Sequence, residues 1–588
     1  MIRRFVHLVN RFIAVTGSDG LVQALRQTKD IFIQGALAKH QLTQTASRRG
    51  GKSLVSDFRI SVLMPVYNTP ADVLDAAIMS VVRQTYSGWE LCICDDSSTS
   101  ADTLQILERY RGADSRIKIT RSTNNLHIAR ATNLAAEFAT GDFVAFLDHD
   151  DTLESDAIET MVRAIEETPE ADVLYSDEDK IEPNGTLSEP YLKPDWSPEH
   201  LLSVMYLLHF LVVRKSLFLE VGGLRHEFTG AQDYDLALRA TDKARRVVHV
   251  PHVLYHWRKI PGSAAATIDA KPEALINAKR AVTDFVKNRH TDAEVSDGLF
   301  EGSFRVKWPV DANRRVTLLM LSAGQSREID GRGRVMLVEH AVKSIVERSS
   351  FTNYKIIVVH GGNLPADVIE YFSKIGVQLA EYQFEGKFNY PDKLNFALQF
   401  VKTDDVILLN DDLEVVTNDW IEALLAFSRQ PDIGAVGARL LYPNNRNQHA
   451  GVVLGVNGLS THIFHNQPAN QVGYCGFTHV IRNYSAVTGA VLATRMGVIR
   501  QVGALNPKLR VDYNDIDFCL RVREAGYRIV YTPHATLYHF EGSSLVRHAV
   551  DPADQAEFLA RWGEVLENDP YYNPQLPRNR TDCAVTQW

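Results

Sequence analysis

Residues 146–151 read FLDHDD, so three carboxylates and a histidine follow the apolar run Phe143-Val144-Ala145-Phe146-Leu147. Alternate residues of a strand share a face. Just past a strand end, Asp148 and Asp150 can therefore converge on one point. Their repulsion is relieved by a hard cation such as Mg²⁺ or Mn²⁺, which prefers oxygen ligands and often takes one or two carboxylates plus a diphosphate. The plainer alternative is a solvated turn or helix cap, where Asp is common. Asp151 fits that alternative, as a cap for the next helix. Residues 408–413, LLNDDL, repeat the arrangement with Asn410 where Asp148 stands.

Other candidates have the same double reading. In CDDSS (94–98), Asp95 and Asp96 could accept from a ribose or a base N–H, or cap a helix beginning near Ala101. Asp233 and Asp515 each open an apolar helical stretch, as a general base would, or as a first-turn carboxylate favoured by the helix dipole. Asp235 and Asp517 are assigned to the structural role. His256 and His539 suit metal or phosphate ligation, or a core. Neither a GxGxxG nor a GxxxxGK[ST] stretch occurs, so neither an NAD site nor a P-loop is supported.

Elements must position these groups. RISVLMPVY, WELCICDD and RIKIT read as strands; Ala71–Val82, Thr103–Tyr110 and Ala129–Phe138 read as helices. The alternation predicts a mostly parallel sheet with helices on both faces, and such sheets bind ligands beyond the carboxyl ends of their strands. Cys92 and Cys94 should share one face of a buried strand. Strands restart near Arg315 with RVTLLML, YKIIVV and DVILLNDD. An internal echo then appears. VGGL, QDYDLALR and LYHW (221–257) recur in order as VGAL, NDIDFCLR and LYHF (502–540). Two copies of one fold follow, at 58–300 and 312–550. Residues 1–57 read as a helical segment and linker, and 551–588 as a helix and a tail extended over the surface.

The 588 residues exceed one core. A net charge of −9, spread along the chain, argues against nucleic acid as partner. Five cysteines without CxxC spacing point to a reducing, cytoplasmic setting. LLSVMYLLHFLVV (201–213) is too short to span a bilayer and reads as core. Near the N-terminus, Phe5, Leu8, Val9, Phe12 and Ile13 follow helical spacing beside three arginines. That helix either docks on the protein or lies on the inner face of the cytoplasmic membrane as a peripheral contact.

In order, PVYN (65–68), DDSS (95–98), DHDD (148–151), GAQDYDLALR (230–239) and LYHWRKIPGSAA (254–265) resemble family 2 glycosyltransferases of the GT-A fold. LLNDDLEV, QHAGVVLG, SAVTGAVL and YNDIDFCLR resemble a second such domain, of the rhamnosyltransferase-like kind in O-antigen and surface-polysaccharide pathways. The resemblance implies two GT-A-type, Rossmann-like α/β domains in tandem. It also implies an inverting, metal-dependent transfer from a nucleotide-diphosphate sugar to an oligosaccharide acceptor, lipid-linked in such pathways. By position, Pro65, Tyr67, Asn68, Asp95, Asp96, Arg130 and Asp148 would contact the nucleotide sugar. Asp148, Asp150 and His256 would serve the metal, and Asp233 would be the base. In the second domain, Asn410 and Asp411 fall to the nucleotide sugar, Asp412 and His539 to the metal, and Asp515 to the base.

This sequence departs from the family pattern in places. His127 and Thr132 replace a usual glycine and part of an Arg-Asn pair. The second domain opens LLMLSAGQ instead of PxYN, and its second strand ends VVHGGN without the acidic pair. His360 could accept a hydrogen bond there only if neutral. Nucleotide recognition in that domain is altered or lost. The expectation is a bifunctional enzyme; the alternative is one active domain with the second as an acceptor- or partner-binding module. A sugar nucleotidyltransferase would need a Gly-rich basic loop after the first strand, and PVYNTP is not one.

Overall fold

The structure, a computed structural model, describes residue 54 and residues 57–259, 272–329, 333–384, 386–540 and 550–585. Met1–Asp57 is a unit of its own. The helix expected around Phe5–Ile13 lies outside the described residues, as does the end of the LYHWRKIPGSAA stretch. Among the described residues, no helix is long and apolar enough to cross a membrane.

The first sheet is built on β1 (Ile60–Val66), β2 (Trp89–Asp95), β3 (Ile117–Arg121), β4 (Phe143–Phe146), β5 (Thr152–Leu153), β6 (Ala171–Ile181), β7 (Leu211–Arg214) and β8 (Arg246–Arg258). Their order is β3-β2-β1-β4-β7-β6-β8-β5, with Leu187–Tyr191 added beside β6. The second uses β9 (Val316–Leu321), β10 (Tyr354–His360), β11 (Gln378–Glu381), β12 (Asp405–Asn410), β13 (Leu413–Val415), β14 (Ile433–Leu441), β15 (Val491–Arg495) and β16 (Arg528–His539). Its order is β11-β10-β9-β12-β15-β14-β16-β13. Each strand thus has a counterpart at the same place in the other sheet.

Strands β1 and β2 are buried along their whole length, as continuous apolar runs require when both sheet faces are covered. Cys92 and Cys94 join one core cluster on one of those faces. Helix α1 (Ala71–Val82) buries Leu74, Ala77, Ile78 and Val81, an i, i+3, i+4, i+7 stripe. Full burial of a side chain the size of Ile78 stabilises by about 1.5–3 kcal/mol. Helix α2 (Ala101–Tyr110) begins where Ser100 accepts from Thr103 N–H, and α3 (His127–Glu137) begins two residues before the expected Ala129. The sheets are mixed: β7 runs antiparallel to both β4 and β6, while β6 and β8 run parallel. Strict strand–helix alternation ends after β4, and long strands replace it.

The internal echo has a mechanical cause. Helix α4 (Gln232–Lys243) carries Asp235, which holds the Arg239 guanidinium, and that guanidinium donates to Val221 and Gly223 carbonyls at 2.5 and 2.8 Å. On α6 (Asn514–Glu524), with α5 (Trp420–Ser428) earlier in the chain, Asp517 holds Arg521 at 2.8 Å. Arg521 donates to the carbonyls of Val502, Gly503 and Ala504 at 2.6–2.9 Å. The VGGL and VGAL turns are thus clamped by the Asp-x₃-Arg pair that follows each. Asp235 and Asp517 have the structural role expected of them.

The C-terminal tail corrects an expectation. After α7 (Pro552–Trp562), residues Asp569, Tyr572, Asn573, Leu576 and Cys583 are buried instead of lying over the surface. Asn573 donates to the Asp177 carboxylate at 2.8 Å and to Lys193 O at 2.9 Å in the first domain. Asp569 accepts from Leu454 N–H and the Ser485 hydroxyl, both at 2.7 Å, in the second. Polar Asn and Asp side chains read as surface in sequence, but here they satisfy buried groups of both domains. Ser197 to Asn483, at 2.7 Å, and Arg528 to Glu199, at 2.9 Å, complete the seam.

Candidate active site

Beyond the carboxyl end of β4, Asp148, Asp150 and Asp151 bring one carboxylate oxygen each within 4.8 Å of one another. Strand β8 fixes this turn. Tyr255 donates its hydroxyl to Asp151 Oδ2 at 2.5 Å, Arg258 N–H donates to Asp151 Oδ1 at 2.7 Å, and Arg258 Nε donates to the Asp150 carbonyl at 2.8 Å. Asp151 is therefore a buried anchor and not a cap of the next helix. Burial, with Asp150 and Asp148 beside it, pushes its pKa well up. Burial also raises Asp150; His149 opposes this, and Asp148 adds to it. Asp148 and Asp150 keep their carboxylates partly exposed. An acidic, oxygen-rich cluster whose charges are this unfavourable fits a hard divalent cation.

Asp233 stands half-buried in the first turn of α4. Burial pushes its pKa up; His209 lowers it and Asp148 raises it, so it feels the charges of the acidic turn. Sequence reasoning did not single out His209. It sits just before β7, stacked on Tyr255 at 4.4 Å between ring centroids, with Nδ1 3.4 Å from Glu178. Burial works against its charge, yet Glu178, Asp148 and Asp151 hold its pKa up at about 9. A lone histidine inside the apolar run MYLLHFLVV was the available signal.

His256 stands outside the acidic turn. The β6–β8 register pairs it with Asp179, whose Oδ1 lies 2.6 Å from Nδ1, and Glu154 lies 3.5 Å from Nε2. Against burial, these two carboxylates raise it to about 9. Three successive acids of β6 thus face five partners: Asp177 meets His249 and Asn573, Glu178 meets Lys193 and His209, and Asp179 meets His256. The run SDEDK inside a strand was the signal for this network.

The expected nucleotide end is assembled at β1 and β2. Pro65 is buried in β1, whereas Tyr67 is 46% exposed. Asn68 adopts a positive φ of 49°, and its Oδ1 accepts from Thr99 and Ser100 N–H at 2.8 and 2.9 Å. Asp95 Oδ1 accepts from Ser98 N–H at 2.9 Å, and Asp96 Oδ1 from Leu126 N–H at 2.6 Å. Both aspartates therefore shape loops. Arg130 is exposed on α3.

The second domain places its residues differently. His539 Nε2 lies 3.0 Å from Asp412 and 3.3 Å from Asn410 Nδ2, and its Nδ1 meets Gln448 Oε1 at 2.9 Å. Asp411 turns inward, accepting from the Ser322 hydroxyl at 2.7 Å, and burial raises it to about 6. Asp515 accepts from Gly489 N–H at 2.8 Å and Ile516 N–H at 2.9 Å. His360 occupies the place of Asp95, since each carbonyl accepts from the first residue past the neighbouring strand, Tyr382 or Ser122, at 2.9 Å. Burial lowers the His360 pKa, and its Nδ1 accepts from Gly362 N–H at 3.0 Å. It is neutral, and its acceptor nitrogen already serves its own turn. Among the described residues, the only group of three acidic or metal-ligating side chains this close is that of the first domain.

Comparison with known proteins agrees with the two-domain architecture. A model described as glycosyl transferase family 2 matches residues 61–219, and one described as glycosyltransferase like family 2 matches residues 333–562. The uncharacterized protein y4gI of Sinorhizobium fredii is 37% identical over 541 residues, covering 90% of this chain and 58% of the relative. The O-antigen biosynthesis protein RfbC of Myxococcus xanthus is 32% identical over 535 residues, covering 90% and 41%. An Escherichia coli UDP-Glc:α-D-GlcNAc-diphosphoundecaprenol β-1,3-glucosyltransferase, WfgD, is 38% identical over 108 residues, 18% of this chain and 41% of the relative. The chain thus spans 58% and 41% of the length of the first two relatives.

Proposed function

The chain belongs to the family 2 glycosyltransferases, two of whose domains it carries in tandem, and on that premise we propose that it transfers sugars from nucleotide-diphosphate-sugar donors to a growing surface glycan, with inversion. The observation that carries this reading is the acidic turn Asp148–Asp151 at a strand's carboxyl end, within electrostatic reach of Asp233. Asp233 takes the proton of the acceptor hydroxyl. The freed oxygen attacks the anomeric carbon opposite the leaving nucleoside diphosphate, whose bond to the sugar breaks. The burial that raises Asp233 brings its basicity closer to what proton abstraction requires. Asp148 and Asp150 would hold a divalent cation, which when bound neutralises charge on the leaving diphosphate. Asn68, Asp95 and Asp96 order the loops around the nucleotide. His209 adds positive charge beside the acidic turn.

The names of two relatives support a surface glycan and a lipid-linked acceptor, since one serves O-antigen biosynthesis and the other acts on a diphosphoundecaprenol-linked sugar. An acceptor of that kind would bring the chain to the inner face of the cytoplasmic membrane. A second reading concerns the second domain. Asp412, Asp515 and His539 occupy equivalent positions in an equivalent sheet, which favours a second transfer. His360 in place of Asp95, and the absence of a second acidic cluster among the described residues, favour an acceptor- or partner-binding module. A donor screen on the intact chain, repeated with Asp150→Ala and Asp412→Ala, tests both readings. Full transfer by Asp150→Ala would overturn the first-domain assignment. An Asp412→Ala variant that still adds every sugar leaves the module.

A further inference from the structure

The strand registers lay the two domains on each other residue by residue. Arg214 of β7 pairs with Phe143 of β4, as Arg495 of β15 pairs with Asp405 of β12. Five residues before these arginines stand His209 in the first domain and Ala490 in the second. Glu178 of β6 pairs with Tyr255 of β8, as Leu441 of β14 pairs with Tyr538 of β16. Asp148 answers to Asn410 in the same way. One acid of the turn, the histidine and the carboxylate behind the histidine are thus present together in the first domain and replaced together in the second. The sheet does not need them for its packing, because the second copy forms with Asn410, Ala490 and Leu441 in their places.

His209 is built into the first site. Its ring lies nearly parallel to that of Tyr255, at 13° and 4.4 Å between centroids. The Tyr255 hydroxyl ties both ends of the acidic turn, accepting from Asp148 N–H at 3.3 Å and donating to Asp151 at 2.5 Å. On the inner side, His209 donates its backbone N–H to Glu178 Oε2 at 2.9 Å, and its sealed Nδ1 lies 3.4 Å from the same oxygen. Lys193 holds that carboxylate at 2.9 Å as well, so Glu178 stays paired without the imidazole. The other ring nitrogen is open. The side chain is 18% exposed, and Nε2 reaches solvent with no partner among the described residues. Against burial, Glu178, Asp148 and Asp151 favour the charged ring, and Asp233 feels that charge. An open N–H on a cationic ring, within electrostatic reach of both the acidic turn and Asp233, calls for an anionic oxygen, and such charge-assisted bonds are strong. In the transfer proposed above, the anionic group nearest the reacting centre is the phosphate bonded to the sugar.

We propose that His209 is a further catalytic residue of the first domain, its Nε2–H donating a hydrogen bond to the β-phosphate of the nucleoside diphosphate. When the anomeric C–O bond breaks, the electron pair stays on that phosphate oxygen and the acceptor proton is on Asp233; His209 gives up no proton. This role rests on the transferase reading. The test is calorimetric titration of the intact chain, in Mg²⁺, with UDP, GDP and dTDP, each against its monophosphate. Binding that Asp150→Ala removes belongs to the first site. His209→Gln and His209→Ala should bind the diphosphate about tenfold or more weakly, and the monophosphate as the parent does. Alanine stands at the equivalent place in the second domain, so the fold accepts it, and thermal melting checks both variants. Equal weakening of diphosphate and monophosphate would make His209 a support of the turn and overturn the proposal. So would a diphosphate affinity that neither variant changes. If Asp150→Ala removes no diphosphate binding from the parent, the transferase reading of this domain fails, and the proposal with it.

Discussion

His539 stands 3.0 Å from Asp412, whereas its counterpart His256 has Asp179 at 2.6 Å and lies outside the acidic turn. The two domains share one topology but hold their histidines to different carboxylates. In the first, Asp148 and Asp150 stay partly exposed beside Asp151. In the second, one carboxylate is replaced by Asn410 and the other is shared with a histidine.

The domains should therefore differ in cation affinity. Electron paramagnetic resonance titration of the intact chain with Mn²⁺ is expected to find one tight site, lost in Asp150→Ala and kept in Asp412→Ala. Loss of the tight site in Asp412→Ala would reverse the assignment. Chelation should abolish transfer by the first domain.

Asp233→Asn keeps the size of the side chain and removes its basicity. Transfer by the first domain should fall by about 10²–10⁴-fold in kcat, with donor KM little changed. Undiminished turnover in a purified variant would take Asp233 out of the role of base.

Stability should fall on both sides of neutrality for different histidines. A group raised by folding stabilises fully below its unfolded value and loses that contribution as pH rises through its folded value. His256, raised from 6.5 to about 9, therefore loses its contribution between those values. A histidine lowered by folding is the reverse case, because below pH 6.5 the unfolded chain takes up a proton that the fold refuses. His534, lowered to about 3, and His479, lowered to about 4, lose stability below 6.5. Each contributes a slope of about 1.4 kcal/mol per pH unit. Denaturant unfolding across pH should find the alkaline slope reduced in His256→Gln and the acid slope reduced in His534→Gln. Parallel curves for either variant and the parent would refute that assignment.

Asn573→Ala removes a donor from the buried Asp177 carboxylate. It should destabilise the chain by about 1–3 kcal/mol in denaturant unfolding. Asn573→Asp should cost more, since it sets a second carboxylate against the first. An unchanged midpoint would mean that the tail does not tie the domains together.

The strand ends where Asp95 and Asp148 stand were legible because apolar runs followed by acids mark the carboxyl edge of a buried sheet. The pairing of QDYDLALR with NDIDFCLR was legible because both helices need the same Asp-x₃-Arg clamp. Local periodicity and residue type are enough for such features. His209 was not legible, since its role depends on Glu178 and Tyr255, reached through three different strands of one sheet. Nor was the capture of His256 by Asp179, which a one-residue change in the β6–β8 register would abolish. The tail reads as solvent-facing Pro and Asn until two domains present unpaired groups to it. Sequence determined the two copies, their strands and which carboxylates end them. Tertiary structure decided which of those carboxylates stay available, because only long-range pairing settles where each buried hydrogen bond and charge is satisfied.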